Sequence, residues 1–379
     1  MALTKYKLGS LIETIDIRND DEIYSSNDVR GISTNKEFIG TKANLDGVSL
    51  KSYKIVKKHE FAYVSDTSRR GDKIALAFNN DNKNYIVSSI YTVFKVKDTS
   101  IVLSDYLFIY FNRPEFDRYS RFNSWGSARE TFSWEDMCDI EIELPTIDIQ
   151  QKYVDVYNSM IANQKAYESR LEDLRIVCDG HFDVVKKEKM VPLGTGIEKV
   201  DKRNSDGKYG IQDVRGIMNQ KQFSETKANV ESKDLTKFLV IDKDVFAYNS
   251  RTDGREMLVL AVNRCDKSVI VTWNYNAFRI RDEKRRMINT EYLYAFFKRR
   301  EFDREVRFNS WGSSQELLSW DSLCDLNVPC PDINTQNSIA EINRVYLDRK
   351  DINDKLKSVI KDACSVLIKG SIEEAQKEA

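Results

Sequence analysis

The chain contains the same domain-sized segment twice. The stretch RFNSWGS at residues 121–127 recurs 186 positions later at residues 307–313. Further upstream, DVRGI at 28–32 recurs as DVRGI at 213–217. Solenoid repeats run to about 50 residues, so a period this long indicates a duplicated domain rather than a stack of short repeats. The 379 residues therefore predict two similar modules, each large enough to bury its own core.

Each copy changes character at one point along its length. The first part holds short aromatic and β-branched runs broken by Gly, Asn and Asp, which predict strands and turns, with a helix expected at 105–116 and again at 291–302. The second part of each copy predicts one long amphipathic helix. The fold class expected is α+β, with two mixed α/β modules each followed by a long helix. The boundaries predicted are 1–146 and 188–331 for the modules, and 147–187 and 332–379 for the helices.

Both predicted helices carry one apolar stripe. Asp148 with Gln151 fits an N-cap and capping box, Asn334 fits the corresponding cap of the second helix, and Gly180 fits the end of the first. The two stripes can cover each other as an antiparallel coiled coil, or each can pack on its own module; the pair is the favoured interpretation. The residues expected at this interface, or at an interface with a partner, are Tyr153, Met160, Leu171, Leu174, Ile339, Ile342, Tyr346, Leu356 and Ile360.

The sequence offers little chemistry for catalysis. Only two histidines occur, His59 and His181, and the six cysteines form no CxxC pair. A metal site is therefore not expected, and the cysteines are expected to be reduced structural thiols. No phosphate-binding GxxxxGK[ST] loop and no GxGxxG motif is present. The N-terminus lacks the apolar region of a signal peptide and no run approaches membrane-spanning length, which predicts a cytoplasmic protein. We expect a binding protein without a catalytic site.

Two segments of each copy are candidates for ligand contact. Arginines stand among small polar residues at 65–71 and at the matching 250–255, although a solvated hairpin tip would have a similar composition. The second candidate is the segment at 123–129, repeated at 309–315, where Ser127 and Arg129 are matched by Ser313 and Gln315. We expect its Trp and Gly to be structural, and its hydroxyl, Arg and Gln side chains to contact a ligand. The formal net charge is −1, so any surface for a polyanion must be a local patch.

The residues shared by the two copies resemble the specificity subunits of type I restriction–modification enzymes, over essentially the whole chain. The markers are DVRG at 28–31, FAY at 61–63, VS…YTVF at 87–94, GSAR at 126–129, and SW at 133–134 running into LP at 144–145 and QQ at 150–151. The second copy departs from the family pattern at Gln315, where Arg is usual, and at Asn337, where Gln often begins the helix. It also has Thr272 where the first copy has Ser88.

The resemblance implies a division of labour among subunits. The modules would be target-recognition domains that each read one half of a split double-stranded DNA site, and the helices would be spacers between them. DNA adenine methyltransferase (modification) subunits and a restriction/translocase subunit would be the partners. S-adenosylmethionine, ATP and Mg²⁺ would be bound by those partners and not by this chain. The candidate DNA contacts are Arg18, Asn19, Arg30, Lys42, Ser68, Arg69, Arg70, Ser127, Arg129, Arg203, Asn204, Arg215, Lys227, Arg251, Thr252, Arg255, Ser313 and Gln315.

The expected helix length suits a spacer. A helix of about 30 residues spans about 45 Å, and half-sites one duplex turn apart are separated by about 34 Å. The two modules differ in their candidate loops, so we expect two different half-site sequences. Two other readings stay open at this point: a two-headed nucleic-acid adaptor that works without methyltransferase partners, and an enzyme in its own right. Neither the DNA sequence recognised nor the choice between restriction and methylation alone follows from the residues.

Overall fold

A computed structural model describes residues 3–41, 43–67, 73–127, 129–185, 190–226, 229–252, 257–313 and 315–378. The chain divides into two compact units. Unit 1 comprises Met1–Ala166 with Asn353–Ala379, and unit 2 comprises Tyr167–Ile352. Each unit thus contains one strand-rich module and portions of the helices that follow the modules.

Unit 1 is built from short antiparallel strands and four helices before its long helices begin. In chain order the elements are β1 (Leu3–Lys7), α1 (Leu8–Leu11), β2 (Ile12–Ile15), β3 (Arg30–Ile32), β4 (Phe38–Gly40), β5 (Lys54–Val56), β6 (Phe61–Tyr63), β7 (Leu76–Phe78), β8 (Tyr85–Val87), β9 (Thr92–Val96), α2 (Ser104–Phe111), α3 (Pro114–Phe122), α4 (Trp134–Cys138), β10 (Glu141–Pro145) and α5 (Ile147–Glu168). The main sheet has the strand order β2-β9-β6-β7, and the pairs β1-β10, β3-β4 and β5-β8 surround it.

Unit 2 repeats the strand layout of unit 1, with a short 3-10 helix at Leu193–Thr195 in the place of α1. Its elements are α6 (Leu171–Val185), β11 (Met190–Pro192), β12 (Ile197–Val200), β13 (Arg215–Ile217), β14 (Phe223–Glu225), β15 (Leu239–Ile241), β16 (Val245–Tyr248), β17 (Leu260–Val262), β18 (Val269–Val271), β19 (Asn276–Ile280), α7 (Thr290–Phe297), α8 (Arg300–Phe308), α9 (Trp320–Asp325), β20 (Asn327–Pro329) and α10 (Ile333–Lys377). The main sheet is β12-β19-β16-β17, and β11-β20, β13-β14 and β15-β18 are the flanking pairs. The expected duplication of an α+β module is confirmed.

The repeated sequence features have a packing reason. Gly9 lies against Cys138, so that a Cβ at position 9 would be 2.7 Å from the Cys138 Cβ. Gly194 lies against Cys324 with the same spacing. The duplicated Leu-Gly and Cys therefore mark one close contact between the first short helix and the helix before the last strand of each module. All six cysteines are free thiols.

Each unit has its own aromatic core, covered by helices. In unit 1, Phe61 stacks on Phe94 with ring centroids 4.9 Å apart, and Phe246 stacks on Phe278 at the same separation in unit 2. Within unit 1 the core also includes Tyr157 from α5 and residues from the C-terminal part of α10 such as Ile360. Burial of such large side chains is the main source of stability for each unit.

The long helices contact each other within each unit, and in unit 1 they run antiparallel. In unit 1, Lys152 Nζ lies 2.8 Å from the Glu374 carboxylate, and Gln164 Nε2 donates to Asn353 Oδ1 at 2.7 Å. In unit 2, Arg349 lies over the Tyr167 ring, 5.7 Å from its centroid. The helices contact each other, as the favoured interpretation predicted. Their packing on the modules differs from the alternative, because the C-terminal part of α10, with Ile360, packs on the core of unit 1, whereas its N-terminal part, with Ile339, packs on the core of unit 2.

Several local details differ from the sequence expectations. The first long helical region is two helices, separated at Ser169 and Arg170; a serine hydroxyl competes for backbone hydrogen bonds, which weakens a helix interior. Gly180 does not end the helix, which continues to Val185. The helices expected at 105–116 and 291–302 are each a pair of helices, because Arg113 and Arg299 adopt extended backbone.

The expected N-caps are also misplaced. Asp148 lies inside the first turn of α5, and Gln151 donates instead to Asp155 at 2.7 Å. The cap at the start of α10 is Asp332, whose carboxylate accepts the backbone N–H of Asn334 at 3.0 Å. Asp332, two residues before Asn334, is therefore the N-cap that was predicted at Asn334, since an N-cap side chain must reach the free N–H groups of the first turn.

Candidate functional site

The two candidate segments of unit 1 lie side by side. Phe132 N donates to Ser65 O at 2.8 Å, and Thr67 N donates to Glu130 O at 2.9 Å. The Thr67 hydroxyl, which is buried, adds a second bond to Glu130 O at 3.1 Å. The start of the arginine-bearing loop is therefore fixed to the Trp-Gly loop, and residues 65–67, 125–127 and 129–132 form one surface. We call this the loop surface of unit 1.

Unit 2 builds the same surface from the matching residues. Leu318 N donates to Ser250 O at 2.8 Å and Thr252 N to Glu316 O at 2.9 Å. The Thr252 hydroxyl bonds Glu316 O at 3.2 Å and is 2% exposed. Residues 250–252, 311–313 and 315–318 thus form the loop surface of unit 2. Thr252, expected to contact DNA, is instead an internal clamp of that surface.

A tight hairpin shapes the tip of each loop surface. Trp125 and Thr131 exchange backbone hydrogen bonds of 3.1 and 2.9 Å, and Trp311 and Leu317 do the same at 3.2 and 3.1 Å. Gly126 has φ +141°, and a Cβ there would lie 2.1 Å from Arg129 O. Only glycine fits such a position. The structural role expected for Gly126 agrees with this geometry.

The tryptophans of the tips face solvent. Trp125 is 65% exposed and Trp311 is 70% exposed, so the expectation that they are structural core residues is wrong. Phe122 and Phe308, at the ends of α3 and α8, are 78% and 76% exposed. Aromatic residues are enriched at interaction surfaces, so these four exposed rings favour a contact role for the tips. The Trp-Gly pattern suggested a buried turn because the sequence does not tell which side of a hairpin packs on the core.

The polar candidates at the tips are accessible. Ser127 and Arg129 of unit 1 are exposed, as are Ser313 and Gln315 of unit 2. Arg251 is exposed on the strand bridge to Leu317. These side chains have the donors and acceptors needed to contact base edges or phosphates. The two loop surfaces therefore share a backbone frame and an exposed Phe and Trp, and they differ at Arg129 and Gln315.

Two asparagines among the candidates are internal. Asn19 is 2% exposed; its Nδ2 donates to Tyr24 O at 3.0 Å, and its Oδ1 accepts Tyr24 N at 3.1 Å. Asn204 makes the same bonds with Tyr209, at 2.9 and 3.0 Å. Each amide closes a loop from within, so in this structure neither is placed to contact DNA.

The arginines upstream are engaged with protein atoms. Arg30 donates to Asn27 O at 2.8 Å and lies 4.7 Å from the Tyr85 ring centroid. Arg215 donates to Gln212 O at 2.7 Å. Arg18 pairs with Asp16 at 3.0 Å and Arg203 with Asp201 at 2.6 Å. Both pairs are exposed, and pairs of that kind exchange partners at small cost.

Arg203 also borders a cleft that belongs to unit 2. The cleft has a volume of about 640 Å³ and is lined by Arg203, Ser205, Thr236, Lys237 and Trp273. Trp273 is 67% exposed and sits in the turn between β18 and β19. The first copy has serines at 88 and 89 in the matching turn. This is a second place where the two modules present different side chains.

Some of the remaining candidates lie outside the described residues. They are Lys42, Ser68, Arg69, Arg70, Lys227 and Arg255.

The candidates on the long helices occupy three kinds of position. Ile339 and Ile360 are buried in the cores of unit 2 and unit 1 respectively. Tyr153, Met160, Ile342 and Tyr346 are partly buried and pack against the same cores. Leu171, Leu174 and Leu356 are half-buried.

The sequence reasoning did not predict the role of a buried glutamine at the start of each helix region, although Gln150 belongs to the QQ marker at 150–151. Gln150 is fully buried: its Oε1 accepts Leu103 N at 3.0 Å, and its Nε2 donates to Ile101 O at 3.0 Å and Pro145 O at 2.9 Å. Gln336 makes the equivalent three bonds in unit 2. Each glutamine ties the helix to its own module. The signal was available, since the two positions differ by the repeat offset of 186.

A buried lysine–aspartate pair in each module was missed as well. Lys36 donates to Asp117, and Lys221 donates to Asp303 at 2.6 Å. Burial lowers the pKa of both lysines, and the aspartates oppose that shift. The two lysines are 185 positions apart and the two aspartates 186, as in the other matched segments, which identifies the pair as part of the common module and not of a variable surface.

Among the comparisons with known proteins, only the comparison with solved structures identifies the fold. No protein-family model matches the chain, and no curated protein does. The S subunit of a type I restriction–modification system from M. genitalium is similar in structure, with a TM-score of 0.58, 14% identity, and coverage of 97% of this chain and 96% of that one. The fold expected from the resemblance to specificity subunits is thus confirmed over the full length.

Two further structures match along their length at lower similarity. One comes from a study of complex assembly and conformational transition of the type I R-M system, with a TM-score of 0.46, 11% identity, and coverage of 97% of each chain. The other is the HsdS subunit from Thermoanaerobacter tengcongensis, with a TM-score of 0.36, 13% identity, and coverage of 98% of this chain and 96% of that one. Among the described helices of this protein, none combines the length and apolar character needed to cross a bilayer.

Proposed function

We propose that the chain is a specificity subunit of a type I restriction–modification enzyme, which binds a double-stranded DNA target made of two separate half-sites. The fold shared with the M. genitalium S subunit supports this. The observation that carries the proposal is the loop surface, which the chain builds twice on the same hydrogen-bonded frame and equips with different exposed polar side chains. Two similar readers with different contacts suit two half-sites of different sequence.

The loop surfaces have the chemistry for DNA contact. In unit 1 the exposed Arg129 can donate two parallel hydrogen bonds to a guanine, and Ser127 can serve either a base or a phosphate. In unit 2, Gln315 takes the place of Arg129, and an amide favours adenine over guanine. Trp125 and Trp311 offer apolar faces for stacking or for contact with the sugar edge. The surface is locally suited to DNA although the whole chain is close to neutral.

The long helices would act as spacer and as docking site. Gln150 and Gln336 tie the helices to the two modules, so each reader is held by the helix that follows it. Deleting one helical repeat between residues 150 and 177 should change the gap between the half-sites and leave both halves intact. An unchanged gap would contradict the spacer role.

The chemical steps would belong to other subunits. Modification subunits would use S-adenosylmethionine to methylate adenine, and a restriction subunit would use ATP and Mg²⁺. This chain would be non-catalytic and cytoplasmic, with DNA and those subunits as its partners. Purified alone, it should transfer no methyl group and cut no DNA; either activity would contradict the assignment.

Co-purification separates this proposal from the main alternative, a two-headed nucleic-acid adaptor without methyltransferase partners. The chain should be expressed with a modification subunit from the same host and isolated through a tag on the chain. We expect a stable complex with the modification subunit and a DNA footprint with two protected segments. A chain that binds DNA with full specificity alone, and retains no methyltransferase, would favour the adaptor.

A further inference from the structure

Unit 1 contains a cavity of about 700 Å³ between its strand-rich module and its helices. Five lysines line it: Lys36, Lys73, Lys165, Lys357 and Lys361. Three carboxylates also line it, namely Glu37, Asp81 and Asp105. The lining therefore carries more positive than negative groups, and one of its lysines, Lys36, is only 3% exposed.

The carboxylate that pairs with Lys36 is already engaged. Asp117 accepts a hydrogen bond from Lys36 Nζ and another from Ile74 N, the latter at 3.3 Å. Lys73 and Lys361 lie close enough to Lys36 to disfavour its charge. Burial lowers the pKa of Lys361, and contact with the Lys73 side chain lowers it further. Three ammonium groups thus lie close together in one cavity, an arrangement that an added anion would stabilise.

Unit 2 has different residues at the positions of Lys73 and Lys361, and its further cation near the buried lysine, Lys298, lies at another position. It keeps the buried pair, as Lys221 with Asp303, whose carboxylate accepts Leu258 N at 3.0 Å just as Asp117 accepts Ile74 N. Met257 precedes Leu258 at the position of Lys73. Arg175 stands at the helix position of Lys361, where it is neutralised by Glu172 at 2.5 Å and Asp179 at 2.8 Å.

We propose that the cavity of unit 1 binds the phosphate group of a small phosphorylated molecule, held between Lys36, Lys73 and Lys361. Lysine ammonium groups are compact point charges that bind phosphate from several directions. Phe38 and Phe108 line the same cavity and leave an apolar wall for the rest of the ligand. The site is separate from the loop surface, so it does not depend on how the chain reads DNA.

Calorimetric titration of the full chain with inorganic phosphate and with pyrophosphate tests this site. The wild type should show one saturable site, with pyrophosphate tighter than phosphate. The double variant Lys73→Gln/Lys361→Gln should weaken binding at least tenfold. The variant Lys83→Gln removes an exposed lysine that does not line the cavity and should bind like the wild type. Lys73→Met, which copies unit 2, is the single variant to use if the double variant does not fold.

Three results would overturn the proposal. The wild type could show no saturable binding of either probe. The Lys73 and Lys361 variants could fold, with unchanged urea midpoints, and bind as tightly as the wild type. Duplex DNA could displace phosphate from the site, which would assign these lysines to the DNA backbone instead of to a small ligand.

Discussion

Replacing Gln150 by methionine should destabilise unit 1 strongly, although the change conserves size and shape. The glutamine is fully buried and satisfies three backbone groups of the module: one N–H and two carbonyls. Methionine can satisfy none of them. The Pro145 carbonyl becomes a buried orphan, and the other two groups are partly accessible to water.

The expected loss follows from those three groups. An unsatisfied buried backbone group costs about 1–3 kcal/mol, and one that water can reach costs less. The sum is about 2–5 kcal/mol, a large share of the 5–15 kcal/mol that stabilises a typical domain. With a urea m-value of about 2–3 kcal/mol per M, the midpoint of unit 1 should fall by about 1–2 M.

Urea unfolding followed by far-ultraviolet circular dichroism measures the change, with Gln151→Met as the matched control. Gln151 is exposed and bonds only to Asp155 in its own helix, so its replacement should shift the midpoint very little. Gln336→Met should reproduce the large effect in unit 2, because its bonds are equivalent. A loss below about 1 kcal/mol at position 150 would refute the reasoning that these glutamines join helix and module.

Three further predictions concern the loop surfaces and unit 2. Arg129→Ala should weaken DNA binding through one half-site only, by about 1–3 kcal/mol, and Gln315→Ala should weaken it through the other half-site. Gel-shift titrations of duplexes in which each half-site is scrambled in turn measure the two effects. An equal loss of affinity at both half-sites would contradict the prediction. Gly126→Ala should abolish recognition of the half-site that Arg129→Ala weakens, because the new Cβ would lie 2.1 Å from Arg129 O and distort the tip. Global stability should change little. Normal DNA affinity of this variant would show that the tip does not contact DNA. Burial among neighbouring cations lowers the pKa of Lys298 to about 7, so between about pH 7 and pH 10 the unfolded chain holds a proton that the folded chain has released. The stability of the wild type relative to Lys298→Met should therefore rise with pH over that window, and parallel urea midpoints would contradict the assigned burial.

The duplication made most of the fold predictable. Identical stretches such as RFNSWGS at a fixed offset reveal two modules without any reference to structure. The apolar stripes revealed the long helices, and the equal position of both stripes after a module favoured their pairing. Some local features were predicted wrongly. Gly180 reads as a helix end, but nothing lies within 4 Å of where its Cβ would be, and the helix simply continues.

The sequence identified the separate segments of the candidate site but not that they form one surface. Residues 65–67 and 123–129 were both singled out, yet their contact through the Thr67 hydroxyl joins positions 63 apart in sequence. No local pattern encodes such a bond. The sequence also predicted too many DNA contacts, because it does not distinguish a buried asparagine such as Asn19 from an exposed one. Only the structure shows that the Asn19 side chain hydrogen-bonds to the backbone of Tyr24.

The proposed bipartite recognition is tested most directly by mapping methylated adenines in the genome of a host that expresses the chain together with its modification subunits. Two specific sequences of different composition, separated by a gap of fixed length and arbitrary sequence, are the predicted pattern. The pattern should disappear when the chain is omitted. A single uninterrupted motif, or methylation that is the same without the chain, would contradict the account of two readers on one polypeptide.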